Sequence, residues 1–229
     1  MKIHGLMKMT LLDFPGLVAC TVFLGGCDLR CPFCHNSELL DQGAPAKMEE
    51  DELYRFLSTR HGLLDGVVFT GGEPLLRKDI GEVMEKIHDM GFKIKLDTNG
   101  THPDLLMELV EAGLVDYVAM DIKNCPEKFG ETIGIPGFDV GNVRKSVAFL
   151  LEGKVDYEFR TTVVKGLHDE ASMRGIGEWI HGAKRYFLQG FVDRETVPVR
   201  GLAPCSEEEM ERFREIVSPF VGEASLRGM

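Results

Sequence analysis

Apolar and polar positions along this chain switch repeatedly between two periods. Leu17–Leu24, Gly66–Thr70, Lys93–Asp97, Val115–Met120, Tyr157–Val164 and Arg185–Phe191 are short runs rich in β-branched and aromatic residues, the signature of buried strands. Between them apolar residues recur at helical spacing. Leu53, Phe56 and Leu57 do so within Glu49–Arg60, and Ile80, Val83, Met84 and Ile87 form a stripe that stops near Gly91. Leu105, Leu106, Leu109 and Val110 follow Pro103, which suits a first helical turn. Val143, Val147, Leu150 and Leu151 mark a further helix, as do Met173, Ile176, Trp179 and Ile180. Ser206-Glu207-Glu208-Glu209 is a capping box opening a C-terminal helix through Met210, Phe213, Ile216 and Val217. Met9–Gly16 reads as a turn, and Ser37–Ala46 as a polar connector.

Strands alternating with amphipathic helices predict an α/β fold with a parallel sheet and helices outside. Six strands are too few for a closed eight-stranded barrel. The expected architecture is therefore an open, partial (β/α)6 TIM-like barrel, in a single domain spanning residues 1–229.

Charge and cysteine usage narrow the partners. The formal net charge is −11 and no run of Lys or Arg forms a stripe, which argues against nucleic acid and against anionic membrane surfaces. No segment reaches the roughly 18 apolar residues of a membrane span. The cysteines cluster instead of taking the spacings of a secreted scaffold, so they read as reduced and the protein as cytoplasmic.

The densest chemistry lies in the loop of residues 25–36, after the first strand. Cys27, Cys31 and Cys34 place three thiols within eight residues, and no nearby cysteine supplies a fourth. Three thiolates on a four-iron cubane would leave one iron open to a non-protein ligand; a zinc site would need a fourth ligand from His35 or a distant residue. The other strands also turn polar where they end, the place where parallel α/β folds bind ligands. Thr70-Gly71-Gly72-Glu73-Pro74 follows the second strand and Asp97-Thr98-Asn99-Gly100 the third. Asp121-Ile122-Lys123 ends the fourth, Arg160-Thr161-Thr162 lies along the fifth, and Gln189-Gly190 ends the sixth. Gly71 and Gly72 would let a ligand approach the backbone, with Glu73 adding an anion suited to an amine; the bland reading is a tight turn. The loop lacks the lysine and spacing of a P-loop. Asp121 and Lys123 could pair with each other or meet a ligand. Cys20, mid-strand, reads as a small apolar residue, and Cys125 and Cys205 as structural.

With the triple cysteine, Phe33 just before its last member, and Gly-Gly-Glu-Pro in place, nearly the whole chain resembles the radical S-adenosylmethionine enzymes. It is most similar to their glycyl-radical-enzyme activating group, through Cys34-His35-Asn36, Asp97–Gly100 and Met120–Lys123. Leu12–Gly16 and the short connector resemble, within that group, the activating proteins of anaerobic ribonucleoside-triphosphate reductase. The resemblance implies that Cys27, Cys31 and Cys34 hold one [4Fe–4S] cluster whose open iron takes the amine and carboxylate of S-adenosylmethionine. Reduction would then split the sulfonium into methionine and a 5′-deoxyadenosyl radical, with no residue needed as acid or base.

It further implies that Gly71, Gly72 and Glu73 meet the methionyl amine and that Phe33 flanks adenine. Asp97 and Asn99 would reach the methionyl or ribose portion. Asp121 and Lys123 would lie beside the sulfonium and carboxylate, with a monovalent cation near Asp121, and Arg160 would add a strand-borne contact. The implied partners are a glycyl radical enzyme, the anaerobic ribonucleotide reductase, and an electron donor of flavodoxin or ferredoxin type. Two departures stand out: Tyr186–Gly190 lacks the last-strand histidine of the pyruvate formate-lyase activators, and Ser37–Ala46 carries no cysteine for a further cluster. The competing readings are a small-molecule enzyme like the deazaguanine synthases and a non-catalytic iron–sulfur or zinc module.

Overall fold

A computed structural model describes residues 1–41 and 43–228. Eight strands form one sheet: β1 (Gly5–Thr10), β2 (Ala19–Leu24), β3 (Gly66–Gly71), β4 (Lys93–Thr98), β5 (Tyr117–Asp121), β6 (Asp156–Val163), β7 (Arg185–Gly190) and β8 (Glu223–Arg227). They lie in sequence order, with β1 and β8 at the edges, and the sheet is open between them. The six expected strands are β2 to β7, all paired in parallel. Two strands extend the series. β1 is antiparallel to β2, and β8 runs parallel to β7. Neither stood out in the pattern, because edge strands bury little: Met7, Lys8 and Met9 are exposed, and no residue of β8 is fully buried.

The helices α1 (Glu50–Ser58), α2 (Ile80–Asp89), α3 (Pro103–Glu111), α4 (Gly141–Leu151), α5 (Glu170–Trp179) and α6 (Glu207–Val217) follow the periodicity. Ile80, Val83, Met84 and Ile87 are all buried on α2, and the capping box at Ser206 and Glu209 opens α6.

Strand alternation divides the interior in two. Val67, Phe69, Ile94, Leu96, Val118, Met120 and Phe159 join the large core beneath the helices. Phe14, Ala19, Val68, Tyr117 and Ala119 form a smaller apolar cluster, with Phe14 resting on Tyr117 at 6.1 Å. Lys95 and Asp97 alternate with Ile94 and Leu96 on β4, and Arg160 with Phe159 on β6, so the face away from the helices turns polar along the strands. Register fixes which polar ends meet: Leu24 pairs with Gly71, Asp121 with Arg160 and Thr162 with Gln189. Among the described residues, no helix is long and apolar enough to cross a membrane.

Candidate active site

At the carboxyl ends of the strands lies a cavity of about 410 Å³. Its lining includes Cys27, Cys31, Cys34 and Phe33 from the loop, and Gly71, Gly72, Asp97, Asn99, Asp121, Lys123 and Arg160 from the strand ends. The residues that the resemblance assigns to the cluster and its ligand are thus gathered around one space, with the exception of Glu73.

The cysteine loop takes its shape from backbone bonds made at both ends. Gly25 N–H donates to His4 Nδ1 at 2.8 Å, Gly26 N–H to Leu39 O at 2.7 Å, and Arg30 N–H to Ile133 O at 3.1 Å. Farther along, Val199 N–H donates to Pro32 O at 3.2 Å. His35 Nε2 donates to Val192 O at 2.8 Å while its ring stacks on Phe191. This histidine therefore braces the loop. Burial pushes the Cys27 thiol up to about 12 and the Cys31 thiol to about 11, and raises Cys34 as well.

The two glycines serve a packing purpose that the sequence reading did not include. A Cβ at Gly72 would lie 2.0 Å from Gly26 O, and one at Gly71, where φ is +128°, would lie 2.3 Å from Leu24 O. Side chains are excluded here by the passing backbone of Leu24 and Gly26, and Glu73 N–H donates to Gly26 O at 2.7 Å. The Glu73 side chain is fully buried and does not line the cavity. Leu75 N–H (3.0 Å) and Thr98 Oγ1 (2.9 Å) bond one of its oxygens, and Asn99 N–H (2.7 Å) the other. A direct bond from this carboxylate to an amine does not fit that placement; Glu73 ties the second strand-end loop to the third. Burial outweighs the three donors and raises its pKa to about 7.

Asn99 is also engaged. Its Nδ2 donates to Asp28 Oδ1 at 2.9 Å and its Oδ1 accepts from Thr101 N–H at 2.9 Å. Asp28 also meets His102 Nε2 at 3.3 Å. Burial acts to raise the Asp28 pKa, but bonds from His102, Thr101 and Asn99 prevail and hold it at about 2.

Opposite the loop, charges alternate in a chain from Lys95 to Asp97, Arg160, Asp121 and Lys123. Lys95 pairs with Asp97, Arg160 Nη1 reaches Asp97 at 3.3 Å, Arg160 Nε reaches Asp121 at 3.0 Å, and Lys123 Nζ reaches Asp121 at 2.9 Å. Three cations against two anions leave one net positive charge at this wall. For Asp121, burial is overcome by Lys123 and Arg160, which hold its pKa at about 2; Arg160 and Lys95 lower Asp97 in the same way. The side-chain oxygens of Asp121, where the monovalent cation is expected, are both bonded by protein cations. Lys95, two residues before Asp97 on the same strand face, escaped the sequence reading although alternation points to it. His4 left no trace in the pattern, because its role depends on a contact across the fold.

The donor set fits an iron–sulfur cluster. Three thiols from one loop share the cavity wall, and the space in front of them is flanked by Phe33 and the positive strand ends. Among the described residues, no three His, Cys, Asp or Glu side chains converge as ligands for a single metal ion. A cubane spreads its irons over separate corners, so its cysteines need not converge on one point.

The family model described as the radical SAM superfamily matches residues 21–173, and the chain belongs to that family. It is an enzyme whose cofactors are a three-cysteine [4Fe–4S] cluster and S-adenosylmethionine. A Methanocaldococcus jannaschii protein whose name places it among the glycyl-radical enzyme activating enzymes is 28% identical, over 98% of this chain and 95% of its own. The 7-carboxy-7-deazaguanine synthase of Koribacter versatilis is 30% identical, over 70% of this chain and 69% of its own. A domain of the pyruvate-formate lyase-activating enzyme from Bacteroides vulgatus shares the fold. Its TM-score is 0.56 at 19% identity, over 71% of this chain and 99% of that domain.

Proposed function

We propose that this enzyme generates a glycyl radical on a partner enzyme, the anaerobic ribonucleoside-triphosphate reductase, in the cytoplasm. The observation that supports glycyl-radical activation is the match to the M. jannaschii relative along almost the full length of both chains, while the choice of reductase rests on the resemblance of Leu12–Gly16 and the short connector. The open side of the sheet, between β1 and β8, supports it by leaving room for a polypeptide loop beside the cavity.

When bound, the cluster and S-adenosylmethionine supply one-electron cleavage of the sulfonium and a radical able to take hydrogen from a glycine α-carbon. The protein binds, orients and excludes water. Cys27, Cys31 and Cys34 hold the cluster by their thiolates. The wall of Lys95, Asp97, Arg160, Asp121 and Lys123, with its one net positive charge, receives the methionyl carboxylate, with Lys123 and Arg160 as the cations that face it. The backbone of Gly71 and Gly72, which lines the cavity, meets the amine, Phe33 flanks the adenine, and Asn99 sits beside the methionyl or ribose portion. The electron comes from a donor of flavodoxin or ferredoxin type.

Anaerobic reconstitution with iron and sulfide, reduction, and addition of S-adenosylmethionine and the candidate reductase test this reading. A glycyl-radical signal by electron paramagnetic resonance is the expected result. Production of 5′-deoxyadenosine without that signal, together with turnover of a deazaguanine precursor, would replace the reading with the small-molecule activity that names the K. versatilis relative.

A further inference from the structure

We propose that His168 is a positioning residue: it fixes the backbone of Lys123 and so sets the cationic wall of the cavity. The inference rests on Lys123 facing S-adenosylmethionine, as proposed above. His168 is 5% exposed, in the loop between β6 and α5. Val164 N–H donates to its Nδ1 at 3.1 Å, so the proton sits on Nε2, which donates to Lys123 O at 2.9 Å. With both ring nitrogens occupied, the imidazole has no free site for acid–base work or for a metal. Its function is the bond.

That bond completes a clamp on the segment leaving β5. Ile122 N–H donates to Arg160 O at 2.7 Å, and Ile122 O accepts from Thr161 Oγ1 at 2.6 Å. Asn124 Nδ2 donates to Leu167 O at 3.0 Å. Ile122 is thus held from β6, while Lys123 and Asn124 are held from the loop that carries His168. Without the imidazole, the Lys123 carbonyl would lose this donor next to the core and shift toward water. Its side chain would shift with it, and Lys123 holds Asp121, which holds Arg160, which holds Asp97. One brace therefore governs the alignment of four charged groups.

Two substitutions separate this role from simple packing. A Gln side-chain amide places its nitrogen near the position of Nε2, and an Asn amide near that of Nδ1. His168→Gln keeps a donor for Lys123 O and gives up the acceptor for Val164 N–H; His168→Asn does the reverse. S-adenosylmethionine affinity is measured by calorimetry on anaerobically iron-loaded protein, with iron content and melting temperature alongside. The expected result is near wild-type iron in every variant. Affinity should fall about tenfold for His168→Asn and His168→Leu and stay within about twofold for His168→Gln. Equal losses in Gln and Asn variants, losses that follow melting temperature alone, or loss of iron would overturn the proposal. Amide hydrogen exchange across residues 122–125, without S-adenosylmethionine, decides the brace independently: faster exchange in the Asn variant than in the Gln variant is expected, and equal exchange refutes it. Ordered exchange with unchanged affinities would instead show that Lys123 does not face the ligand.

Discussion

The two walls of the cavity reach their shape by different means. The cysteine wall is a loop without regular structure, and its side chains face a space that only a ligand can fill. Much of its order comes from outside, through bonds to His4, Leu39, Ile133, Val192 and Val199, beside local bonds from Arg30 to Cys27 O and from Cys34 N–H to Cys31 O. The opposite wall stands on parallel strands whose register already sets Asp121 beside Arg160. Its charges satisfy one another in a chain before any ligand arrives. One wall is therefore a set of unmet ligands held by a scaffold, and the other a preorganised electrostatic surface. A mutation in the first should remove a cofactor and leave the fold, whereas a mutation in the second should weaken the fold and leave the cluster.

The largest separation is expected from Cys31→Ala. It should abolish cluster assembly and cleavage of S-adenosylmethionine while far-ultraviolet circular dichroism stays that of the wild type. Iron retained at wild-type stoichiometry would mean that the third ligand comes from elsewhere. The matching test on the other wall is Arg160→Leu, which leaves Asp97 and Asp121 without their shared cation. Each aspartate keeps one lysine, so what is lost is the charged hydrogen bonds of Arg160, about 2 kcal/mol, and the urea midpoint should fall. Iron content after reconstitution should nevertheless remain near one cluster per chain. If iron is lost too, the walls are not independent.

Glu73 lies between the two systems and carries a pH signature. Its native pKa of about 7 lies above the ordinary 4.5, so the folded protein holds the proton more firmly than the unfolded chain. The resulting stabilisation is complete below pH 4.5 and is lost as the pH rises through 7, a span worth on the order of 3 kcal/mol. Glu73→Gln removes the titration. Between pH 5 and pH 8 the wild type should lose stability relative to this variant, as read from urea unfolding. A constant offset between the two would show that burial does not control this carboxylate.

The sequence revealed these walls unequally, for a physical reason. Residues that act through their own side chains at or just after a strand end, such as Cys27, Asp97 and Asp121, sit at positions where an apolar run turns polar, and that break is visible in one dimension. Of the six parallel strands, β2, β3, β5 and β7 were legible as short apolar runs, and β4 and β6 by the alternation of apolar with polar residues. β1 and β8 were hidden because each is an edge, with half-exposed side chains and no run to mark it. Glu73 was legible as a motif but not as a brace; only the fold brings Thr98 and Asn99 against it. His4, His35 and His168 act on the backbone of distant segments, and nothing in their local sequence names the carbonyl or amide they meet.

The smallest expected effect comes from one of these braces, and it sharpens the contrast between the walls. His35→Phe keeps an aromatic ring to stack on Phe191 and removes the donor to Val192 O. The bond lies at a solvent-exposed position, so its loss should cost no more than about 1 kcal/mol of global stability. The consequence should instead be local. If the loop is ordered from outside, freeing its far end should speed the release of iron to a chelator while the urea midpoint hardly moves. A midpoint that falls in step with iron release would show that the loop is part of the cooperative core, and that the two walls differ in chemistry but not in how they are built.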